Sequence, residues 1–143
     1  MTVRIENMAG HLIRRLQQIS NAVFQERMKA AGYDLTSVQF AALSAIAQTP
    51  AIDQASLAGQ IAYDRATIGG VVDRLETKGF VTRSPRKTDR RAREVSLTQD
   101  GARLLAEVTP IVEALQADIL KPLSEVERSQ FLQLARKAAV IVE

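Results

Sequence analysis

Hydrophobic residues recur at spacings of three and four along the first thirty residues of the chain, which is the pattern of an amphipathic helix. The recurring positions are Ile5, Met8, Leu12, Leu16, Ile19 and Val23. Gly32 follows this stretch, and glycine is the residue that most often ends a helix. The pattern therefore predicts one long helix over residues 4–31.

Five further helices are predicted from hydrophobic runs that follow a side chain able to cap a helix N-terminus. The runs are FAALSAIA, ending before Pro50; QASLAGQIA; RATIGGVVDRLETK, closed by Gly79; a fifth that continues into EALQADIL before Pro122; and a sixth that ends in ARKAAVIV. The predicted caps are, in the same order, Thr36, Asp53, Asp64, Thr98 and Ser124.

Two short segments between the fourth and fifth helices have the alternation of β-strands. They are FVTRS (80–84) and REVSL (93–97); in the second, Val95 and Leu97 point one way, and Glu94 and Ser96 the other. Two strands are too few for an independent sheet, so this hairpin must pack on neighbouring helices. The predicted fold is mainly α with a small β-hairpin, of the α+β class.

The segment that joins the two strands is strongly basic. Residues 83–93 read RSPRKTDRRAR, in which six of eleven residues are Lys or Arg and only Asp89 is acidic. Residues 64–97 carry nine basic and five acidic groups, against a net charge of +3 for the whole chain. Such a concentration favours a polyanionic partner, although a solvated charged surface is the alternative.

Composition narrows the classes of function. A chain of 143 residues that is 46% hydrophobic suits one domain with a core. We expect a cytoplasmic protein, because the sequence shows no membrane span, signal peptide or cysteine. One histidine and no cysteine leave little for nucleophilic catalysis or metal binding, so we expect no enzyme, cofactor or metal site. An enzyme with paired carboxylates remains formally open.

The third and fourth predicted helices are short, and only a few residues such as Tyr63 and Asp64 separate them. This is the helix-turn-helix arrangement, whose second helix enters the major groove of DNA. A basic hairpin directly after that helix is placed to reach phosphates or the minor groove of the same duplex.

The stretch DRATIGGVVDRLETKGFVTRSPRKTDRRAREVSLTQDG resembles the MarR family of winged helix-turn-helix transcription regulators. Each element of the family pattern is present from Val72 to Gly101, and LTSVQFAAL resembles the family's second helix. The resemblance implies one domain over 1–143, with dimerisation helices in 1–33 and 100–143 and a winged helix-turn-helix in 34–99. It also implies a homodimer that binds a palindromic operator in double-stranded DNA, by family default as a repressor. The absence of cysteine excludes the family's cysteine-based peroxide sensors.

The predicted recognition helix carries the first group of DNA-binding candidates. Arg65 and Thr67 are expected in its first turn, where side chains meet base edges; for Arg65, a phosphate contact or a free surface side chain is the alternative. Gly69 and Gly70 depart from the family pattern, and either close approach to DNA or tight packing against the third helix would explain them. Arg74 matches a family position that touches phosphate; its alternative is an ion pair with Asp73 or Glu76.

Helix starts and the wing supply the remaining DNA-binding candidates. Ser37, Gln54 and Ser56 lie at helix starts, where they suit phosphate contacts, although capping explains both serines equally well. In the wing, the resemblance assigns Arg91 to the minor groove, and we assign Arg86, Lys87 and Arg90 to phosphates. Asp89 is suited to orient these arginines by charge-assisted hydrogen bonds. A solvated wing tip is the alternative.

A small-molecule site is the last prediction. His11 and Arg15 flank the apolar stripe of the first helix, where similar regulators open a pocket. Arg binds a carboxylate through two parallel hydrogen bonds, so we expect a small aromatic or heteroaromatic acid. The rest of the pocket is assigned to Tyr33, Gln39, Phe40 and Leu43. Two alternatives stay open: a His11–Arg15 pair at the dimer surface, and a constitutive or architectural DNA-binding dimer without an effector.

Overall fold

A computed structural model describes residues 2–85 and 93–140 of the chain. A 3-10 turn at Ile5–Asn7 precedes the regular elements. These are α1 (Ala9–Ala31), α2 (Ser37–Gln48), β1 (Ile52–Asp53), α3 (Gln54–Gln60), α4 (Ile68–Thr77), β2 (Val81–Pro85), β3 (Arg93–Leu97), α5 (Gln99–Ile119) and α6 (Glu125–Ala138). The predicted mainly helical fold with a small β-structure is confirmed. Within the described ranges, no helix is long and apolar enough to cross a membrane.

The chain divides into two compact units. Unit 1 comprises Met1–Val23 and Ala114–Glu143, and unit 2 comprises Phe24–Glu113. Unit 2 contains most of the buried hydrophobic side chains. Its α4 buries Ile68, Val71, Val72 and Leu75, the spacing of one helical face. The opposite face of α4 is therefore left outward.

Unit 1 has little core of its own. Among its described residues, Leu115 is the one large hydrophobic side chain that is fully buried. Ten large hydrophobic residues in the described part of this unit are exposed instead: Val3, Ile5, Met8, Leu12, Ile13, Ile19, Val126, Leu132, Leu134 and Val140. Soluble proteins rarely leave so much apolar surface uncovered without a partner for it.

A three-stranded antiparallel sheet replaces the predicted two-stranded hairpin. Its order is β1–β3–β2, with Ile52 opposite Val95 and Val81 opposite Leu97. The strand β1 was not predicted, because two residues are too few to show an alternation. Ile52, Val81 and Val95 are buried, so the sheet packs into the core of unit 2 as expected.

Most predicted helix ends are confirmed by hydrogen bonds. Thr36 and Ser124 form capping boxes with Gln39 and Glu127 respectively. The Asp53 carboxylate accepts from Ser56 N–H, and the Thr98 hydroxyl accepts from Gly101 N–H. Two helices also end as predicted, at Gly32 and Gly79, both with φ of +85°, a conformation that glycine adopts at little cost.

The predicted starts of the first and fourth helices are wrong. The first α-helix begins at Ala9 rather than at residue 4, because the backbone of Met8 is extended and separates it from the 3-10 turn. The fourth begins at Ile68 rather than directly after Asp64. There the Asp64 carboxylate accepts from Ala66 N–H at 2.9 Å and the Asp64 carbonyl accepts from Ile68 N–H at 3.0 Å, so a hydrogen-bonded turn over residues 65–67 separates Asp64 from the first residue of α4.

Candidate nucleic-acid interface

Helices α3 and α4 form the helix-turn-helix, with a longer connection than predicted. Residues 61–67 lie between them, rather than only a few residues such as Tyr63 and Asp64. Tyr63 N–H donates to Ala58 C=O at 2.9 Å, and Ala62 takes a left-handed φ of 53°, which together end α3. The turn at Asp64 then delays the start of α4.

This delay changes the placement of two candidate base-reading residues. Arg65 and Thr67 are exposed but precede α4, so the prediction that they occupy its first turn is wrong. The Thr67 hydroxyl donates to Asp64 C=O at 3.1 Å. The first turn of α4 is instead formed by Ile68, which is buried, and by Gly69 and Gly70.

The two glycines of α4 are not required by packing within the described chain. A Cβ on Gly69 would lie 3.9 Å from Gln54 Nε2, and a Cβ on Gly70 would lie 3.9 Å from Arg74 Nη1. These are ordinary van der Waals distances. Tight packing against α3 therefore does not explain the glycines, and close approach to DNA remains a prediction.

Arg83 on β2 joins three elements of unit 2. Its Nη2 donates to Asp73 and, at 3.0 Å, to Glu76 on α4, and its Nη1 donates to Gln54 Oε1 on α3 at 3.2 Å. Arg83 N–H also donates to Glu76 Oε2 at 3.3 Å. We call these four residues the Arg83 cluster. It fixes the strand that leads into the wing against both helices of the helix-turn-helix.

The electrostatics of the Arg83 cluster follow from these contacts. The hydrogen bond from Arg83 lowers the pKa of Glu76 below its ordinary value of 4.5. The same bond, with that to Asp73, raises the pKa of Arg83. The Arg83 side chain is only 18% exposed, and its Nε is buried with no hydrogen-bond partner among the described residues. Both carboxylates on the outward side of α4 are thus neutralised from within the protein.

Arg83 had no predicted role, although the sequence contains a signal for its ion pairs. Asp73 and Glu76 lie three residues apart and so share one face of α4. A strand follows closely, and its central residue is basic. Two carboxylates on one face of a helix, followed by a short strand with a central arginine, favour an ion pair between the helix and the strand.

Arg74 does not form the alternative ion pair considered from the sequence. Asp73 and Glu76 both pair with Arg83, and no ion pair of Arg74 is found within residues 2–85 and 93–140. Arg74 is exposed on the outward face of α4. Its charge is therefore presented to solvent beside Gly70.

The candidates at helix starts have structural partners. Ser56 donates both its N–H and its hydroxyl to the Asp53 carboxylate, each at 2.8 Å, which is the capping arrangement. Gln54 accepts from Arg83, as described above. Ser37 is the half-buried first residue of α2, next to the Thr36 cap. Their predicted phosphate contacts remain predictions.

The wing candidates lie outside the described residues. They are Arg86, Lys87, Asp89, Arg90 and Arg91. The strands on either side are paired up to Pro85 and Arg93. The segment that contains these candidates therefore joins β2 to β3. The opposite end of this antiparallel hairpin is the one that follows α4.

The six effector candidates divide between the two units. His11 and Arg15 belong to unit 1, on α1, where His11 is half-buried and Arg15 exposed. The others belong to unit 2. There the Tyr33 hydroxyl donates to Glu107 Oε2 at 3.0 Å, and this bond raises the pKa of Tyr33 above its ordinary value.

Three effector candidates on α2 differ in accessibility. Gln39 is buried; its side-chain oxygen accepts from Thr36 N–H at 3.1 Å and from Lys78 Nζ at 3.4 Å, so it serves the capping box. Leu43 is fully buried in the core. Phe40 is half-buried, with its ring centroid 6.2 Å from that of Phe24, and it lines an open cleft of about 440 Å³. Of the three, only Phe40 faces a space that a ligand can enter.

Comparison with known proteins agrees with this geometry. The MarR family model matches residues 35–92. The chain is 36% identical to the transcriptional regulator HosA of Escherichia coli O157:H7, over 96% of this chain and 97% of HosA. It is 37% identical to the HTH-type transcriptional repressor NicR of Pseudomonas putida, over 93% of this chain and 83% of NicR.

Two solved structures share the whole architecture. BpsR of Bordetella bronchiseptica, whose DNA binding is regulated by 6-hydroxynicotinic acid, superposes with a TM-score of 0.87 at 30% identity over 100% of both chains. A mutant of MarR from E. coli complexed with operator DNA superposes with a TM-score of 0.83 at 26% identity, over 96% of this chain and 99% of that one. The chain belongs to the MarR family of transcriptional regulators.

Proposed function

We propose that this protein is a dimeric repressor that binds a palindromic operator through its helix-turn-helix and wing, and that a small aromatic or heteroaromatic acid releases it. The observation that carries the DNA-binding part is the Arg83 cluster. It holds β2 against α4, so that the basic segment 86–92 follows a strand fixed to the outward-facing helix. MarR of E. coli, which shares this architecture, is complexed with operator DNA.

The exposed apolar side chains of unit 1 support a homodimer. Among the described residues of unit 1, ten large apolar side chains are exposed and one is buried, an imbalance that a second copy of the same surface would correct. A two-fold dimer would carry two recognition helices, which suits a palindrome with half-sites about one helical turn apart. Repression is proposed by analogy with NicR, a transcriptional repressor that is 37% identical to this chain.

The effector proposal rests on His11 and Arg15 and on BpsR, a similar protein whose DNA binding is regulated by a small molecule. BpsR responds to 6-hydroxynicotinic acid, a heteroaromatic acid of the class expected for a guanidinium partner. Arg15 is exposed and presents the planar fork that a carboxylate requires. The ligand can release DNA only by binding more tightly to a form of the dimer that does not fit the operator. A constitutive DNA-binding dimer would lack this response.

We also propose that the protein has no catalytic role and that it acts in the cytoplasm, as regulators that bind DNA do.

The test of the proposed function combines selection of an operator sequence with its release by an acid. Duplexes enriched from random DNA by the purified protein would be titrated by fluorescence anisotropy, with and without 6-hydroxynicotinic acid. The proposal requires a palindromic motif and weaker binding with the acid. A motif without release would favour the constitutive alternative, and no motif would contradict the DNA-binding proposal.

Arg15→Ala separates the effector from the DNA site. This variant should bind the selected duplex about as tightly as the wild type and should no longer respond to the acid. Loss of dimerisation in Arg15→Ala would show that the residue is structural. An unchanged response to the acid would place the effector elsewhere.

A further inference from the structure

One long basic side chain on α4 extends over a position that carries no side chain. Gly70 lies one helical turn before Arg74, and a Cβ on Gly70 would lie 3.9 Å from Arg74 Nη1. Side chains on a helix lean toward its N-terminus, so the guanidinium lies over the first turn of α4. We propose that Arg74 is the specificity-determining residue of this helix and reads a guanine edge through the gap left by Gly70. This role rests on the proposed DNA-binding function.

The surroundings of Arg74 leave its guanidinium available. The two carboxylates nearest in sequence, Asp73 and Glu76, are both occupied by Arg83. The side chain is exposed and has no ion pair in the part of the chain that the structure describes. Because Arg83 offsets the negative charge on this side of α4, the Arg83 cluster also lowers the electrostatic cost of bringing the helix to DNA.

The outward positions in the first turn of α4 offer little for base reading. Gly69 and Gly70 have no side chain, and the Thr67 hydroxyl just before the helix donates to Asp64 C=O. An arginine forks onto O6 and N7 of guanine, the commonest specific contact in the major groove. A contact to phosphate would position the helix but carry no sequence information. The geometry therefore places most of the discrimination by α4 on one residue.

The experiment removes one acceptor from the DNA. Each guanine of the selected half-site would be replaced in turn by 7-deazaguanine, which lacks N7, and the affinities of wild type and Arg74→Ala would be compared by anisotropy. We expect the affinity of the wild type to fall about tenfold when the guanine at one position of each half-site is substituted. This loss is within the usual range for a bidentate contact. Arg74→Ala should bind the natural and the substituted duplex equally.

A second variant keeps the arginine and fills the gap. Gly70→Leu introduces a Cβ at an ordinary van der Waals distance and a better helix former, so it should fold. The leucine side chain should displace the guanidinium of Arg74. The ratio of the affinity for the natural duplex to that for the substituted duplex should then fall to about one. The matched control is Arg103→Ala, which removes one positive charge from an exposed ion pair on α5 and should keep the wild-type ratio.

The outcomes are distinct. If Arg74→Ala keeps the tenfold loss, another residue reads the guanine and the inference is overturned. If no 7-deazaguanine affects the wild type, and Arg74→Ala weakens all duplexes equally while reducing the salt slope by about one, Arg74 contacts phosphate and the inference is likewise overturned. A wild type that enriches no sequence would overturn the proposed function, and this role with it.

Discussion

At the scale of single residues, the interface depends on how three acidic and basic side chains of unit 2 are paired. Asp73, Glu76 and Arg83 could have been surface charges of little consequence, as most exposed ion pairs are. Here the guanidinium is mostly buried and links a strand to a helix. Because Asp73 and Glu76 pair with Arg83, they do not pair with Arg74, which stays exposed. A residue of β2 thus determines which charges α4 presents to solvent.

The lowered pKa of Glu76 gives a prediction for acid stability. A carboxyl whose pKa is lower in the folded state contributes stability that is fully present above its ordinary value of 4.5 and is lost as pH falls through the lowered value. Glu76→Gln should therefore lower the free energy of unfolding at neutral pH and reduce its loss toward about pH 3. Urea unfolding at both pH values, with Glu26→Gln on α1 as control, measures this. An acid dependence identical to wild type would contradict the assigned pair.

At the scale of elements, helix ends were predictable from the sequence and short elements were not. Thr36, Asp53, Thr98 and Ser124 cap helices as expected, because a side-chain oxygen can satisfy N–H groups within three residues of itself. Asp64 has the same chemistry but forms a turn. The Arg83 cluster joins residues up to 29 positions apart, so only the folded chain reveals it.

The close approach of α5 to Phe80, the residue before β2, gives a second prediction. A Cβ on Gly101 would lie 2.0 Å from the carbonyl oxygen of Phe80, which belongs to the backbone and can move only with the chain that leads into β2. Gly101→Ala should destabilise the protein by about 3 kcal/mol, the upper range for overpacking. Gly10→Ala is the matched control, since its Cβ meets nothing within 4 Å and alanine favours the helix. Equal urea midpoints for the two variants would contradict this close contact between Gly101 and Phe80.

At the scale of the whole molecule, unit 2 is built around a core and unit 1 around an uncovered apolar surface. The hydrophobic spacing of the first helix was visible in the sequence. Whether those side chains would be buried within the chain was not, because periodicity identifies an apolar face without identifying what covers it. Exposed apolar residues of α6 add to the uncovered apolar area of unit 1.

The uncovered surface of unit 1 gives a third prediction, for assembly. Leu134→Glu places a charge on a side chain that is 65% exposed, so it should not disturb the fold of the subunit. In a homodimer closed by unit 1, the buried charge would cost several kcal/mol and shift the protein toward monomer. Sedimentation equilibrium of wild type and variant measures this, with Gln133→Glu on the same helix as control. A monomeric wild type, or a variant that dimerises unchanged, would contradict the proposal.

The most direct test of the account is the salt dependence of binding to the selected operator. The proposed interface brings the basic region 64–97 of each subunit to phosphates, and each neutralised phosphate contributes about −0.9 to the slope of log affinity against log salt concentration. We expect a slope of about −4 or steeper, with much weaker binding to a scrambled duplex of equal length. A slope near zero, or equal affinity for both duplexes, would contradict operator recognition by this face of the protein.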